Sequence, residues 1–191
     1  MPDIPFWMRI AALVAVMAIA AGLDAWYRCA RARRWKEYLF ILLAGCVGAV
    51  FGALTDTITS SISPEYFIYG KRLSADGIRW RAMVLGLEAG FSAGVIAGAL
   101  CLFLGRRRGA ANIKLPRVAT LMWRPFVLAV ILGAAVPLTC FWFDPFGFFE
   151  KLSPPMGADP AAAFLRVWHI HLGVYLGLGA GVVWMIAKLR D

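Results

Sequence analysis

The sequence predicts an all-α fold: an integral membrane helical bundle of about five transmembrane helices, in a single domain covering residues 1–191. Three observations predict it. Of the 191 residues, 61% are hydrophobic and only 16% charged, against roughly 25% charged in an ordinary soluble domain. Five stretches approach or reach the roughly 20 mostly apolar residues that a bilayer core requires. The net charge of +9 gathers in three short regions rather than spreading over a surface. The mean hydropathy of +0.72 also excludes intrinsic disorder, because apolar side chains are in excess. Cys29, Cys46, Cys101 and Cys140 share no short spacing, which excludes a disulfide scaffold.

The expected spans, in order, are residues 5–27, 38–54, 82–104, 122–143 and 164–187. The first contains Ala18-Ile19-Ala20, small residues that would suit a signal-peptide cleavage site. Asp3 beside Arg9 is not a positive leader region, however, and cleavage would strand an arginine-rich turn outside the cell. The span is therefore expected to be retained. After it come Arg28, Arg31, Arg33, Arg34 and Lys36; after the third span come Arg106, Arg107, Arg108, Lys114 and Arg117; Lys188 and Arg190 close the chain. These regions share one side of a five-span bundle, and positive-inside bias makes that side cytoplasmic, with the N-terminus outside and the C-terminus cytoplasmic. In the opposite loops the basic residues are offset by Asp56, Glu65, Asp76, Asp144, Glu150 and Asp159. Tryptophan favours the headgroup level. All eight tryptophans fit, with Trp7, Trp80, Trp142 and Trp168 near outer ends and Trp26, Trp35, Trp123 and Trp184 near inner ones.

Spans three and five carry glycine at intervals of four: Gly86, Gly90, Gly94 and Gly98 in one, Gly173, Gly177 and Gly181 in the other. Small residues at that spacing let helix backbones approach closely in lipid. Sliding span three by 83 positions superposes the two stripes and sets Glu88 against His171. Spans two and three would then match spans four and five as two parallel hairpin repeats following an N-terminal helix.

Ionisable groups inside hydrocarbon are costly unless they face a partner or a polar cavity, so they are the leading functional candidates. Glu88 lies seven residues past Arg81, about 10 Å into the membrane. His171 lies five past Arg166, about 8 Å deep. Helical rotation puts Glu88 with Ser92, and His171 with Tyr175, opposite their glycine stripes. The expectation is that Glu88 and His171 meet across one outward-facing polar pocket bordered by Asp56 and Asp144, with His169 nearer the interface. Carboxylate with imidazole suits a divalent metal held by Glu88, His171 and Asp56, a proton relay, a cationic ligand, or a plain hydrogen bond joining the two helices.

Between spans two and three, Ser63-Pro64-Glu65 has the grammar of a helix start: hydroxyl cap, proline first, acid in the first turn. A short aromatic helix through Tyr66, Phe67 and Tyr69 is expected at the outer interface. The loop over 141–150, rich in phenylalanine and broken by Pro145 and Gly147, reads as an interfacial or re-entrant cover.

Asp56-Thr57-Ile58-Thr59 running into Ser63-Pro64-Glu65-Tyr66-Phe67, and later His171-Leu172-Gly173-Val174-Tyr175-Leu176-Gly177, carry a family resemblance. The chain resembles small bacterial multi-pass membrane proteins of unassigned activity. Their hallmarks are an H/D-x-I/V-S/T stretch leading to S-P-E-Y-F and a histidine followed by a tyrosine-leucine-glycine run. Those proteins carry Gln or Asn where this chain has Thr57. The resemblance implies a bacterial inner-membrane location and marks Asp56, Glu65, Tyr66, His171 and Tyr175.

No HExxH, Cys/His cluster, phosphate-binding glycine loop or nucleophile with a base occurs in the sequence. The function expected is therefore binding or passing a cation, proton or small polar ligand, as a transporter would. The alternative is a structural or accessory subunit of a larger membrane complex, and a third reading is a metal-dependent membrane enzyme. The lipid bilayer is the expected partner, with a membrane-protein partner or a second copy of the chain next, and nucleic acid excluded.

Overall fold

A computed structural model describes residues 5–28, 34–104, 115–139 and 142–190. Most of the two arginine-rich turns, and Cys29 and Cys140, lie outside these residues. Among the described residues there is no strand. The helices are α1 (Phe6–Arg28), α2 (Arg34–Ile62), α3 (Ile78–Leu104), α4 (Leu115–Leu121), α5 (Trp123–Thr139), α6 (Phe148–Met156) and α7 (Ala158–Arg190), with a π-helical turn at Tyr66–Gly70. Five segments are long and apolar enough to cross a membrane, α4 and α5 together forming the fourth. The chain is a multi-pass helical membrane protein.

Two hairpins dominate the packing, α2 with α3 and α5 with α7. Glycine is required at both seams. A Cβ at Gly48 would strike the carbonyl oxygen of Gly90, and one at Gly52 that of Gly86. In the second hairpin, Cβ atoms at Gly173 and Gly177 would strike the carbonyls of Leu132 and Leu128, and one at Gly181 would collide with Pro125. Both expected stripes are therefore contact surfaces. Helix α1 stands apart: it leans on α2, sets Phe6 edge-on against Phe91 at 5.9 Å, and leaves Trp7, Val16, Ile19 and Trp26 exposed.

Several boundaries differ from expectation for identifiable reasons. Helix α2 runs eight residues beyond 54 through a hydroxyl-rich segment. There Thr55, Thr57 and Thr59 donate to the carbonyls of Phe51, Ala53 and Thr55, so their polarity is satisfied within the helix. The fourth span is broken at Met122, because Pro125 has no N–H for the Leu121 carbonyl and its ring would clash with it. Helix α7 begins at Ala158, straight after Gly157 at φ 95°, rather than at 164.

The hairpins touch chiefly near their ends. At the end carrying α4, Phe40, Cys101, Leu102, Val118, Leu121, Met185 and Leu189 form one core, and Arg117 donates to the Lys188 carbonyl in the last turn of α7 at 2.9 Å. At the other end Tyr66, Phe67, Ala82, Phe164 and Val167 form a second. A cavity of about 160 Å³ lies between the two.

Candidate functional site

The cavity follows the seam between the hairpins. From α2 it is lined by Phe40 through Asp56, from α3 by Gly86 through Gly98, from α5 by Pro125 and Phe126, and from α7 by His171 through Met185. Against the expected polar pocket, its walls are almost wholly apolar, because the glycine and alanine faces of α2 and α3 line it, and its polar groups concentrate at the Asp56 end.

There α2 and α7 bring a carboxylate to an imidazole. His171 Nε2 lies 3.7 Å from Asp56 Oδ1 and 3.3 Å from Thr59 Oγ1, and both Asp56 and His171 are buried. The Thr59 hydroxyl spends its one hydrogen on the Thr55 carbonyl at 2.8 Å. In the Nε2–H tautomer of His171 the hydroxyl accepts from the ring and Nδ1 presents a lone pair. Among the described residues, neither His171 Nδ1 nor the Asp56 carboxylate has a hydrogen-bond donor. The arrangement differs from a catalytic triad, in which carboxylate and hydroxyl engage opposite ring nitrogens. Here both sit on Nε2.

Aromatic rings hold the imidazole. Tyr66 stacks on it at 4.9 Å with the planes 13° apart, Phe67 meets it edge-on at 6.1 Å, and Tyr175 lies 6.0 Å away along α7. Tyr66 is positioned by the helix grammar the sequence displays. Ser63 Oγ accepts the Tyr66 N–H at 3.3 Å and donates to Glu65 Oε2 at 3.0 Å. This segment departs from the expected interfacial helix: Phe67 and Tyr66 are buried against Phe164 and His171, and of its three aromatic residues only Tyr69 is exposed. The gap above His171 between the hairpins is filled by these rings. Burial also pushes the Tyr66 phenol above its ordinary range, with Tyr175 and Asp56 adding to the shift.

The structure thus brings together Asp56, His171 and Tyr175, and it corrects the expected partnership of His171 with Glu88. The stripe of Gly86, Gly90 and Gly94 faces α2, so the opposite face of α3 turns away from the seam. Glu88 accordingly lines a separate depression with Trp80, Arg81 and Val84. Ser92 is exposed and bonded to the Glu88 carbonyl at 3.0 Å. Asp144 is also not at the cavity. Its two carboxylate oxygens accept the N–H groups of Phe148 and Phe149 at 2.9 and 2.8 Å, capping α6. His169, expected near the interface, is fully buried, its Nε2 donating to the Phe143 carbonyl at 2.7 Å.

Among the described residues no three His, Cys, Asp or Glu side chains converge. Asp56 and His171 supply two ligands where zinc takes three or four from protein. Sequence reasoning missed Thr59, whose place one turn past Asp56 is visible in the spacing, and Phe67 as a wall of the site.

Compared with protein-family models, curated proteins and solved structures, the chain finds no match.

Proposed function

We propose that the protein binds or passes a small ligand or proton at Asp56 and His171. The observation that carries this reading is the meeting of a buried carboxylate and a buried imidazole, from different hairpins, at 3.7 Å on the wall of an interhelical cavity. Buried ionisable groups inside a membrane bundle are expensive and mark ligand or proton pathways. A cation, a proton or a small polar ligand that hydrogen-bonds to the carboxylate and the imidazole each suits the pair. The pattern of Lys and Arg supports an inner-membrane protein with its N-terminus outside and its C-terminus cytoplasmic. The family resemblance supports a bacterial source. On this reading the Tyr66–Phe67 segment lies on the outer side and covers the dyad.

The test is thermal unfolding in lipid nanodiscs against sodium, zinc, ethylammonium and ethanol, with proton uptake recorded on the same preparation. A probe at about 100 times its Kd adds about 2.7 kcal/mol, or roughly 5–10 °C for a chain of this size. Asp56→Asn and His171→Gln should each remove the shift or the uptake. If no probe acts and uptake is unchanged by either substitution, or if a shift survives both, the reading fails.

A second reading, an accessory subunit that docks on a membrane partner, is supported by α1. Its exposed Trp7, Val16, Ile19 and Leu23 leave a long apolar face that the rest of the chain does not cover.

A further inference from the structure

We infer that Arg124, seated over Trp184, holds the phosphate group of an anionic phospholipid at the end of the bundle that carries α4. This site lies away from the Asp56–His171 dyad and does not depend on it.

Unsatisfied donors point to the ligand. Among the described residues, three buried side-chain polar atoms lack a hydrogen-bond partner, and two of them are Nε and Nη1 of Arg124. No ion pair with a described residue reaches the guanidinium. Its charge is permanent. The group sits 4.4 Å over the Trp184 ring, with the Trp123 ring at 6.0 Å. A ring attracts the charge but supplies no oxygen for N–H groups withdrawn from water. A phosphate does, since two of its oxygens match two parallel N–H groups of one guanidinium.

The surroundings select a lipid over a free anion. Trp123 and Trp184 are both exposed, and tryptophan favours the headgroup level. Val127 and Ile131, one and two turns past Arg124 on the same face of α5, are exposed as well. They lie about 5 and 11 Å further along the helix, towards the middle of the span. With a phosphate at Arg124, the acyl chain below it would run over these two side chains. At the same end Arg117 donates to the Lys188 carbonyl at 2.9 Å, which brings two further positive charges close. Basic sites between membrane helices on the cytoplasmic side suit anionic head groups, and the topology proposed above puts this end there.

The experiment is native mass spectrometry of the full-length protein in detergent. It is titrated separately with dioctanoyl phosphatidylglycerol, dioctanoyl phosphatidylcholine, dioctanoylglycerol and inorganic phosphate. Phosphatidylglycerol should bind about tenfold more tightly than phosphatidylcholine or dioctanoylglycerol, a gap of one good charge-assisted contact. Arg124→Gln should weaken its binding by about the same factor. Arg124→Lys, which keeps the charge but loses the planar pair of donors, should fall between. Arg79→Gln, an exposed cation at the opposite end of α3, should leave the binding unchanged. Should Arg124→Gln fail to fold, Arg124→Lys and the lipid series on the unsubstituted protein decide. Equal binding of phosphatidylglycerol and dioctanoylglycerol, or of phosphatidylglycerol and phosphatidylcholine, overturns the inference. So does an Arg124→Gln protein that loses no more affinity than Arg79→Gln. If inorganic phosphate displaces phosphatidylglycerol at equal concentration, the site takes a free anion and the lipid assignment falls.

Discussion

Replacing Gly90 by alanine separates the effect of close helix approach from that of intrinsic helix propensity. In an unhindered helix interior the exchange should stabilise, since alanine is favoured over glycine by about 1 kcal/mol. At Gly90 the new Cβ would run into the carbonyl oxygen of Gly48, with the Gly48 carbonyl carbon at 2.8 Å and the Gly52 Cα at 3.2 Å. All three are backbone atoms of α2, so no side chain can swing aside, and α2 and α3 must separate. Overpacking of this kind costs about 1–3 kcal/mol. Gly179 is the matched control, a helical glycine on α7 with nothing within 4 Å of an added Cβ. Gly90→Ala should therefore lie about 2–4 kcal/mol below Gly179→Ala, or roughly 5–15 °C in Tm at this chain length. The assay is thermal unfolding of both variants in one detergent, followed by tryptophan fluorescence. Equal melting temperatures, or a Gly90→Ala protein more stable than Gly179→Ala, would refute the close seam between α2 and α3.

Four further expectations follow from particular contacts. Gly94→Leu should lower Tm more than Ala97→Leu, because a side chain at Gly94 meets the Ala44 carbonyl whereas Ala97 lines the cavity; paired melting curves check the order. Ser63→Ala should cost about 1 kcal/mol by removing the acceptor of the Tyr66 N–H, and hydrogen exchange at that amide should rise. Tyr66, whose phenol is raised by burial, favours the folded protein while neutral. That contribution is complete below about pH 10 and is lost as pH climbs above it, so ultraviolet titration should show exposed Tyr69 ionising before Tyr66. Alkaline phosphatase fused after residue 117 or 191 should be inactive, and fused in the 63–77 segment active, if the basic ends are cytoplasmic.

The membrane class, the five spans and the glycine seams were legible because each depends on a pattern within one helix. Length and hydropathy identify a span, and an interval of four identifies a face. What the sequence left obscure were the relations between helices. The hydroxyl run after residue 54 reads as a loop when polarity is counted, yet Thr55, Thr57 and Thr59 bond back to their own helix and extend it. Asp144 reads as a pocket carboxylate, yet two backbone N–H groups of α6 engage it. Ser63-Pro64-Glu65-Tyr66 reads as a helix start and forms one, but its burial depends on the distant ring of His171, 105 positions beyond Tyr66.

The misplacement of Glu88 shows why an internal offset is a poor guide to contact. Superposing spans three and five by their glycines aligns residues with equivalent positions on two helices, and equivalence fixes which way a side chain faces relative to its own stripe. It says nothing of what lies opposite. In α7 the face carrying His171 and Tyr175 turns toward the seam between hairpins, while in α3 the face carrying Glu88 and Ser92 turns away from it. The carboxylate that reaches His171 therefore comes from α2, one turn below Thr59 and Ser60 in a buried polar segment. A dyad built from α2 and α7 ties together the two hairpins near the end where aromatic rings already join them. Removing only one partner should then do more than delete a contact. It leaves the other group buried without compensation, at a cost of several kcal/mol for a charged survivor and less for a neutral imidazole. Asp56→Asn should thus be milder than Asp56→Leu, because the amide keeps an acceptor near Nε2, and His171→Leu should be milder in a variant that also carries Asp56→Asn. Tm values for the parent, Asp56→Asn, His171→Leu and the variant carrying both measure that coupling. Additive shifts within about 0.5 kcal/mol, the tolerance for independent sites, would mean that the two residues do not act as a pair.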